Sequence, residues 1–240
     1  MNPKVSIIIP CYNAEKWIDQ CLQSALDQTY DNVEVVVVDN ESTDGTVGKI
    51  EKNPGTFTFG TAENIYPNCW DEARSEGYKL ATGEYFTTLA SDDFLSKDYI
   101  ENCMKYIMMA PDKIMAFQSP VRGIKEGDVY TGEINHRYKN IGDLKKSLME
   151  RCCVNSPTVV YNRKLYETGM LTTNPEKYGG AADYDLYCKL VDDGVFIYPA
   201  NKWLGYHYRW HPGQATWSVQ REGINYDSMI QTYWNEKWNH

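Results

Sequence analysis

Asp92 and Asp93 are adjacent carboxylates that follow a short apolar run, and that position gives them chemistry to do. The run Glu84 to Leu89 contains Tyr, Phe and Thr, residues that favour extended backbone, so it reads as a buried strand. In an open α/β sheet, ligands bind at the carboxyl ends of the strands. Two carboxylates at such an end suit a hard divalent cation carrying a diphosphate. Ions of this kind take oxygen ligands and keep positions open for phosphate oxygens. A plain helix cap is the competing reading, with Asp93 or Ser96 capping a helix that starts near Lys97. A further acid, Asp39, ends the apolar run Val33 to Val38, where it could hold a nucleoside or cap the turn that follows.

These acids need elements to position them. Val5 to Pro10 is nearly continuous apolar sequence, as expected of a strand buried on both faces. A helix from about Ala14 to Gln28 puts Ala14, Trp17, Ile18, Cys21, Leu22, Ala25 and Leu26 on one stripe. The second strand ends at Asp39. The turn after it offers Ser42 or Thr43 as the cap of a helix carrying Val47 and Ile50. A third strand is expected over Thr56 to Phe59 and a helix over Asn68 to Ala81. Strands alternating with helices mean parallel pairing and right-handed crossovers.

Beyond Asp93 a helix is expected over Tyr99 to Met109 and a strand over Ile114 to Gln118. Arg122 to Lys139 reads as an irregular or hairpin insertion, followed by a helix over Ile141 to Glu150. A strand over Thr158 to Tyr161, a helical turn over Arg163 to Thr168 and a Gly-rich loop over Asn174 to Ala181 follow. Next come a helix over Asp183 to Asp193 and strands over Val195 to Tyr198 and Trp203 to Tyr208. The tail is aromatic, with Trp217, Tyr226, Tyr233, Trp234 and Trp238. It reads as core or as a contact between two copies of the chain. The expected organisation is one domain over 1–212, in two halves that meet at about residue 95, plus an extension over 213–240.

Composition excludes several classes. A net charge of −9 lacks the basic face that nonspecific nucleic-acid binding requires. No run of 18 apolar residues exists, so no membrane span is expected, though peripheral association stays open. Seven cysteines without a CxxC pair argue against zinc and for reduced core residues in a cytoplasmic protein. A dinucleotide-binding fold needs a glycine-rich turn after the first strand, and Pro10 to Glu15 contains no glycine. The P-loop pattern is also missing. Phosphate must then be neutralised by something other than backbone amides, and a metal on Asp92 and Asp93 meets that need.

The chain resembles the family 2 glycosyltransferases of the A-type nucleotide-diphospho-sugar fold. The resemblance rests on Val5 to Asn13, Val36 to Thr46, Ala73 to Tyr85, Leu89 to Asp93 and Ala182 to Leu186, five segments in order across roughly residues 4–210. It implies a Rossmann-like, mostly parallel α/β sheet flanked by helices. It implies an inverting transferase that moves sugar from a nucleotide-diphospho-sugar, UDP above all, to a hydroxyl of a saccharide or glycoconjugate, as in polysaccharide assembly. It places Pro10, Tyr12, Asn13, Asp39, Arg74, Ser91 and Asp92 on the nucleotide. Asp92, Asp93 and His211 are placed around Mn²⁺ or Mg²⁺, and Asp183 is the general base. Asp185 is a nearby alternative whose depth in the helix fits a structural role.

Two positions depart from the family pattern. Ala90 stands where the metal motif has its first Asp, and Ala182 where a Glu precedes the base. Ala90 keeps open a nucleotide-sugar-binding protein that has lost catalysis. A nucleotidyltransferase of similar fold would show a Gly-rich basic loop after the first strand, which is absent.

Overall fold

The structure, a computed structural model, describes residues 2–65, 69–214 and 223–239. Its centre is two largely apolar strands, β1 (Val5–Cys11) and β2 (Val33–Asp39), whose polar residues Ser6, Glu34 and Asp39 lie near their ends; they pair in parallel with Val5 beside Val33 and Cys11 beside Asp39. Alternate side chains of a strand point to opposite faces, so a sheet covered on both sides needs apolar residues at every position. Ile7, Ile9, Val35 and Val37 enter one core, with Ile18 and Leu22 of α1 (Ile18–Leu26) and Ile100 and Met104 of α4 (Tyr99–Ile107). Ile8, Val36 and Val38 enter the other, with Ala73 and Tyr78 of α3 (Cys69–Leu80) and Leu186 and Leu190 of α8 (Ala182–Asp192).

The main sheet adds β3 (Thr58–Thr61), β4 (Tyr85–Thr88), β6 (Ala116–Gln118), β9 (Val160–Asn162) and β10 (Ile197–Pro199), in the order β10-β6-β9-β4-β1-β2-β3. Only β9 runs against its neighbours. The other strands therefore all end at one edge, called here the front edge. This is the α/β architecture expected from the sequence.

A second sheet was not anticipated. It consists of β5 (Phe94–Leu95), β11 (Tyr206–Arg209), β7 (Val121–Lys125) and β8 (Val129–Ile134), in the order β5-β11-β7-β8. The Arg122–Lys139 insertion supplies the β7–β8 hairpin. β5 is two residues long and owes its existence to antiparallel pairing with β11, more than a hundred residues away, which no local pattern shows.

Other local expectations change for identifiable reasons. Neither Ser42 nor Thr43 caps the helix after β2: α2 (Thr46–Lys52) starts later, and Asp44 accepts from Thr46 N at 3.0 Å. Neither Asp93 nor Ser96 caps α4 with its side chain, because that helix begins at Tyr99 behind Asp98. The expected loop over Asn174–Ala181 contains α7 (Pro175–Tyr178) and a 3₁₀ turn. The helix before the central strand was expected from Asn68, which lies outside the described residues, as does Trp217.

The aromatic tail forms α9 (Tyr226–Asn239), which packs on α8 and on α5 (Ile141–Glu150). Ile230 and Trp234 are buried within this chain, so the core reading describes them; Met229 and Tyr233 stay exposed. The six described cysteines are free thiols. No described helix is long and apolar enough to cross a membrane.

Candidate functional site at the front edge

The turn after β4 delivers Asp92 and Asp93 to different places. Asp93 is 2% exposed. Its Oδ2 accepts from the Tyr206 hydroxyl at 2.8 Å and its Oδ1 from the Arg209 backbone N–H at 2.7 Å. Burial and the neighbouring Asp92 charge push its carboxyl well above the usual range, against those two bonds. With both oxygens bonded inside the fold, Asp93 ties the turn after β4 to β11. Asp92 remains a quarter exposed, and its Oδ2 lies 2.9 Å from His211 Nε2. The carboxylate and the imidazole, 119 residues apart in sequence, meet at the front edge.

The segment carrying His211 is held from behind. Arg209 is buried, donating through Nε to the Asp92 carbonyl at 2.8 Å and through its other nitrogens to Asp128 and Gln20. Its guanidinium lies over the Trp17 ring, 4.3 Å from the centroid, and the His211 ring packs against the same indole. This buried arginine, with each of its three nitrogens bonded, anchors the His211 loop.

One carboxylate and one imidazole supply two ligands for a divalent cation. No described group of three or more His, Cys, Asp or Glu side chains could hold a metal. Diphosphate oxygens and water would complete the shell, as is usual where an ion rides on substrate phosphates. The residues fit such an ion, and the imidazole favours Mn²⁺ over Mg²⁺, which prefers oxygen.

The nucleoside side is built by β1, β2 and their loops. Pro10 lies half-buried in β1 opposite Val38. Tyr12, at the tip of the following loop, is 49% exposed and offers a free aromatic face. Asn13 adopts a left-handed backbone (φ 48°) and staples two loops together. Its Oδ1 accepts from Thr43 N at 2.8 Å, while its own N–H donates to Ser42 Oγ at 2.9 Å. Asp39 is buried and accepts from Ser42 N at 2.9 Å, so it closes the turn. Asn40, next to it, is 2% exposed, and both its amide nitrogen and its amide oxygen lack a partner. Such a group costs about 1–3 kcal/mol until something bonds it. Sequence reasoning passed over Asn40; its only signal was its place one residue past a strand-end acid. Ser91 lies half-buried in the turn before Asp92.

Asp183 stands in the first turn of α8. That helix leads into β10, which starts at the back edge, so the first turn lies at the front. The Asp183 side chain is half-buried. Burial raises its carboxyl above the usual range, opposed by a hydrogen bond from Ser156 and by the charge of Arg74. Arg74 does not reach outward: it is paired with Asp71 and lies 3.3 Å from Thr173 Oγ1. Asp185 is 2% exposed, accepts from Trp234 Nε1 at 2.9 Å and pairs with Lys189, so it anchors the tail.

The model of the family described as glycosyl transferase family 2 matches residues 6–170, a stretch that includes Asp92 and stops short of Asp183 and His211. An uncharacterized glycosyltransferase of Haemophilus influenzae is 36% identical over 110 residues. That match covers 44% of this chain and 43% of the relative, so the chain spans less than half of that protein's length. The Escherichia coli UDP-Glc:alpha-D-GlcNAc-diphosphoundecaprenol beta-1,3-glucosyltransferase WfaP is 28% identical over 229 residues, covering 95% of this chain and 86% of WfaP. Among solved structures, Staphylococcus aureus TarS 1–349 in complex with UDP-GlcNAc superposes with a TM-score of 0.70 at 21% identity, covering 90% of this chain and 61% of that one. The family model's match over more than half of the chain makes this chain a member of glycosyl transferase family 2.

Proposed function

We propose that the protein is an inverting glycosyltransferase using a UDP-sugar as donor and a hydroxyl of a saccharide or glycoconjugate as acceptor. The observation that carries this reading is the Asp92–His211 pair at the front edge, with a half-buried acid, Asp183, at the same edge. The names of WfaP and of the TarS complex support uridine as the nucleoside. Tyr12 stacks on the base, and Asn40 reads its edge. An amide presents one donor and one acceptor, which matches the adjacent N–H and C=O of uracil. Asp39 supports Asn40 from the turn.

Asp92 and His211 would hold a divalent cation, and the chemistry it would supply is neutralisation of charge on the departing diphosphate. Asp183 accepts the acceptor hydroxyl proton while that oxygen bonds to the anomeric carbon. The bond from that carbon to the diphosphate oxygen breaks on the opposite face. Attack opposite the leaving group inverts the centre, so an α-linked donor gives a β-linked product.

Product analysis tests the reaction class. Incubation with UDP-glucose or UDP-GlcNAc and a glycoside panel should release UDP and give products with inverted anomeric coupling. Release of pyrophosphate from a sugar phosphate and UTP would make the protein a nucleotidyltransferase. UDP-sugar binding with no turnover against any acceptor would make it a binding protein.

A further inference from the structure

A cleft of about 410 Å³ lies between α3 and the segment 169–176. Its size falls in the range of small-molecule sites, ~300–1,000 Å³. Asp71, Glu72 and Glu176 stand on its walls with Thr173, and Tyr78 and Tyr166 lie along it; no Lys or Arg is among the described residues lining it. Three carboxylates, of which only Asp71 has a cation beside it in Arg74, leave the cleft net negative, so it repels an anionic group and attracts hydrogen-bond donors or an amine.

Asp71 gives the cleft a specific demand. It is 6% exposed, with Oδ1 paired to Arg74 and Oδ2 buried with no partner at all. A buried carboxylate oxygen left without a donor is costly, and a ligand hydroxyl or ammonium would satisfy it. Tyr78 is buried against Phe86, but the half-buried Tyr166 ring gives the apolar face of a sugar ring a surface to lie on.

The cleft is also next to the chemistry. Asp71 sits in the first turn of α3, and Asp183 in the first turn of α8, both at the front edge. Arg74 links them: it pairs with Asp71, touches Thr173 and bears electrostatically on Asp183.

We propose that this cleft is a subsite for a neutral or amine-bearing sugar unit of the acceptor, with Asp71 as the residue that binds it and Glu176 setting its charge preference. The assignment to the acceptor rests on the transferase reading above; the sugar site itself does not.

Ligand-observed NMR with three methyl glycosides tests it: methyl glucoside, methyl glucosaminide and methyl glucuronide, each titrated into wild type, Asp71→Asn and Glu176→Lys. The neutral and amine glycosides should bind wild type and the glucuronide least. Asp71→Asn should weaken the first two about tenfold. Glu176→Lys, whose side chain is exposed and can be replaced without disturbing the core, should weaken the amine most and improve the glucuronide. UDP titrated into the same samples separates the two readings. UDP binding without glycoside binding overturns the subsite alone, as does equal binding of the glycosides by all three proteins or preference for the glucuronide. Glycoside binding that responds to both substitutions without UDP binding keeps the sugar site and overturns the transferase.

Discussion

The two edges of the main sheet treat polar groups in opposite ways. At the back edge Glu34 accepts from Ser6 Oγ at 2.6 Å and Thr82 Oγ1 at 2.7 Å and pairs with Lys4 at 2.6 Å. Arg163 there donates to the carbonyls of Gly83 and Ala81. At the front edge Asn40, Asp71 and Arg74 each keep a buried side-chain atom with no partner. Buried polar atoms are bonded in most native structures, so a cluster of exceptions needs a reason. The difference separates an edge finished by the fold alone from one that, on the proposed function, substrate would finish. Substitutions at the back should cost stability and spare activity; at the front they should do the reverse.

The sharpest break in that symmetry is Asp183→Asn. The amide keeps the size but cannot take a proton. UDP release in the presence of acceptor should fall ~10²–10⁴-fold while the melting temperature stays near wild type. Near-normal turnover would remove Asp183 from the mechanism.

Asn40→Ala is next. It should weaken UDP by ~5- to 100-fold, the worth of one or two bonds read from a buried amide. The variant should be as stable as wild type or more so, since an unpartnered buried amide is gone. Unchanged UDP affinity in calorimetry would return the base-reading role to Asp39.

Glu34→Gln probes the back edge. Burial raises the Glu34 carboxyl, but the bonds from Lys4, Ser6 and Thr82 outweigh it and hold the pKa down at about 2, below the ordinary value of 4.5. A carboxylate depressed on folding adds stability above its unfolded pKa and loses it as pH falls toward the folded value. The variant should therefore be destabilised by about 1–3 kcal/mol at pH 7, with the gap to wild type closing as the pH drops from 4.5 to 2. Denaturant melts across that window check it, and activity per folded molecule should not change.

The smallest effect belongs to Arg74→Gln. Arg74 lowers the Asp183 carboxyl against the burial that raises it. Removing its charge should move the acid limb of kcat/KM to higher pH. A limb that stays put or moves down would separate Arg74 from the base.

How much of this the sequence carried follows from the range of each signal. Val5–Pro10 and Val33–Val38 announced strands buried on both faces because, Ser6 and Glu34 apart, their positions are apolar, and the structure sends alternate residues to two cores. The front-edge position of Asp92 followed from its place after a strand. Its separation from Asp93 did not, because it depends on Tyr206 and Arg209 arriving from a distant strand. Asn40 and Asp71 were silent for a similar reason. An unpartnered buried atom is a property of packing, and no residue type announces it. The tail showed its aromatic residues but not their destination, which the Trp234–Asp185 bond supplies.

Calorimetric titration of UDP into the protein with Mn²⁺ present and with the metal chelated, for wild type and for Asp92→Asn and His211→Ala, bears most directly on the front edge as a site completed by substrate. Wild type should bind UDP at least tenfold more tightly with Mn²⁺, and either substitution should remove most of that gain, about 1.4 kcal/mol or more. Equal affinity with Mn²⁺ and with chelator in wild type, or a metal-dependent gain that survives both substitutions, would contradict the account.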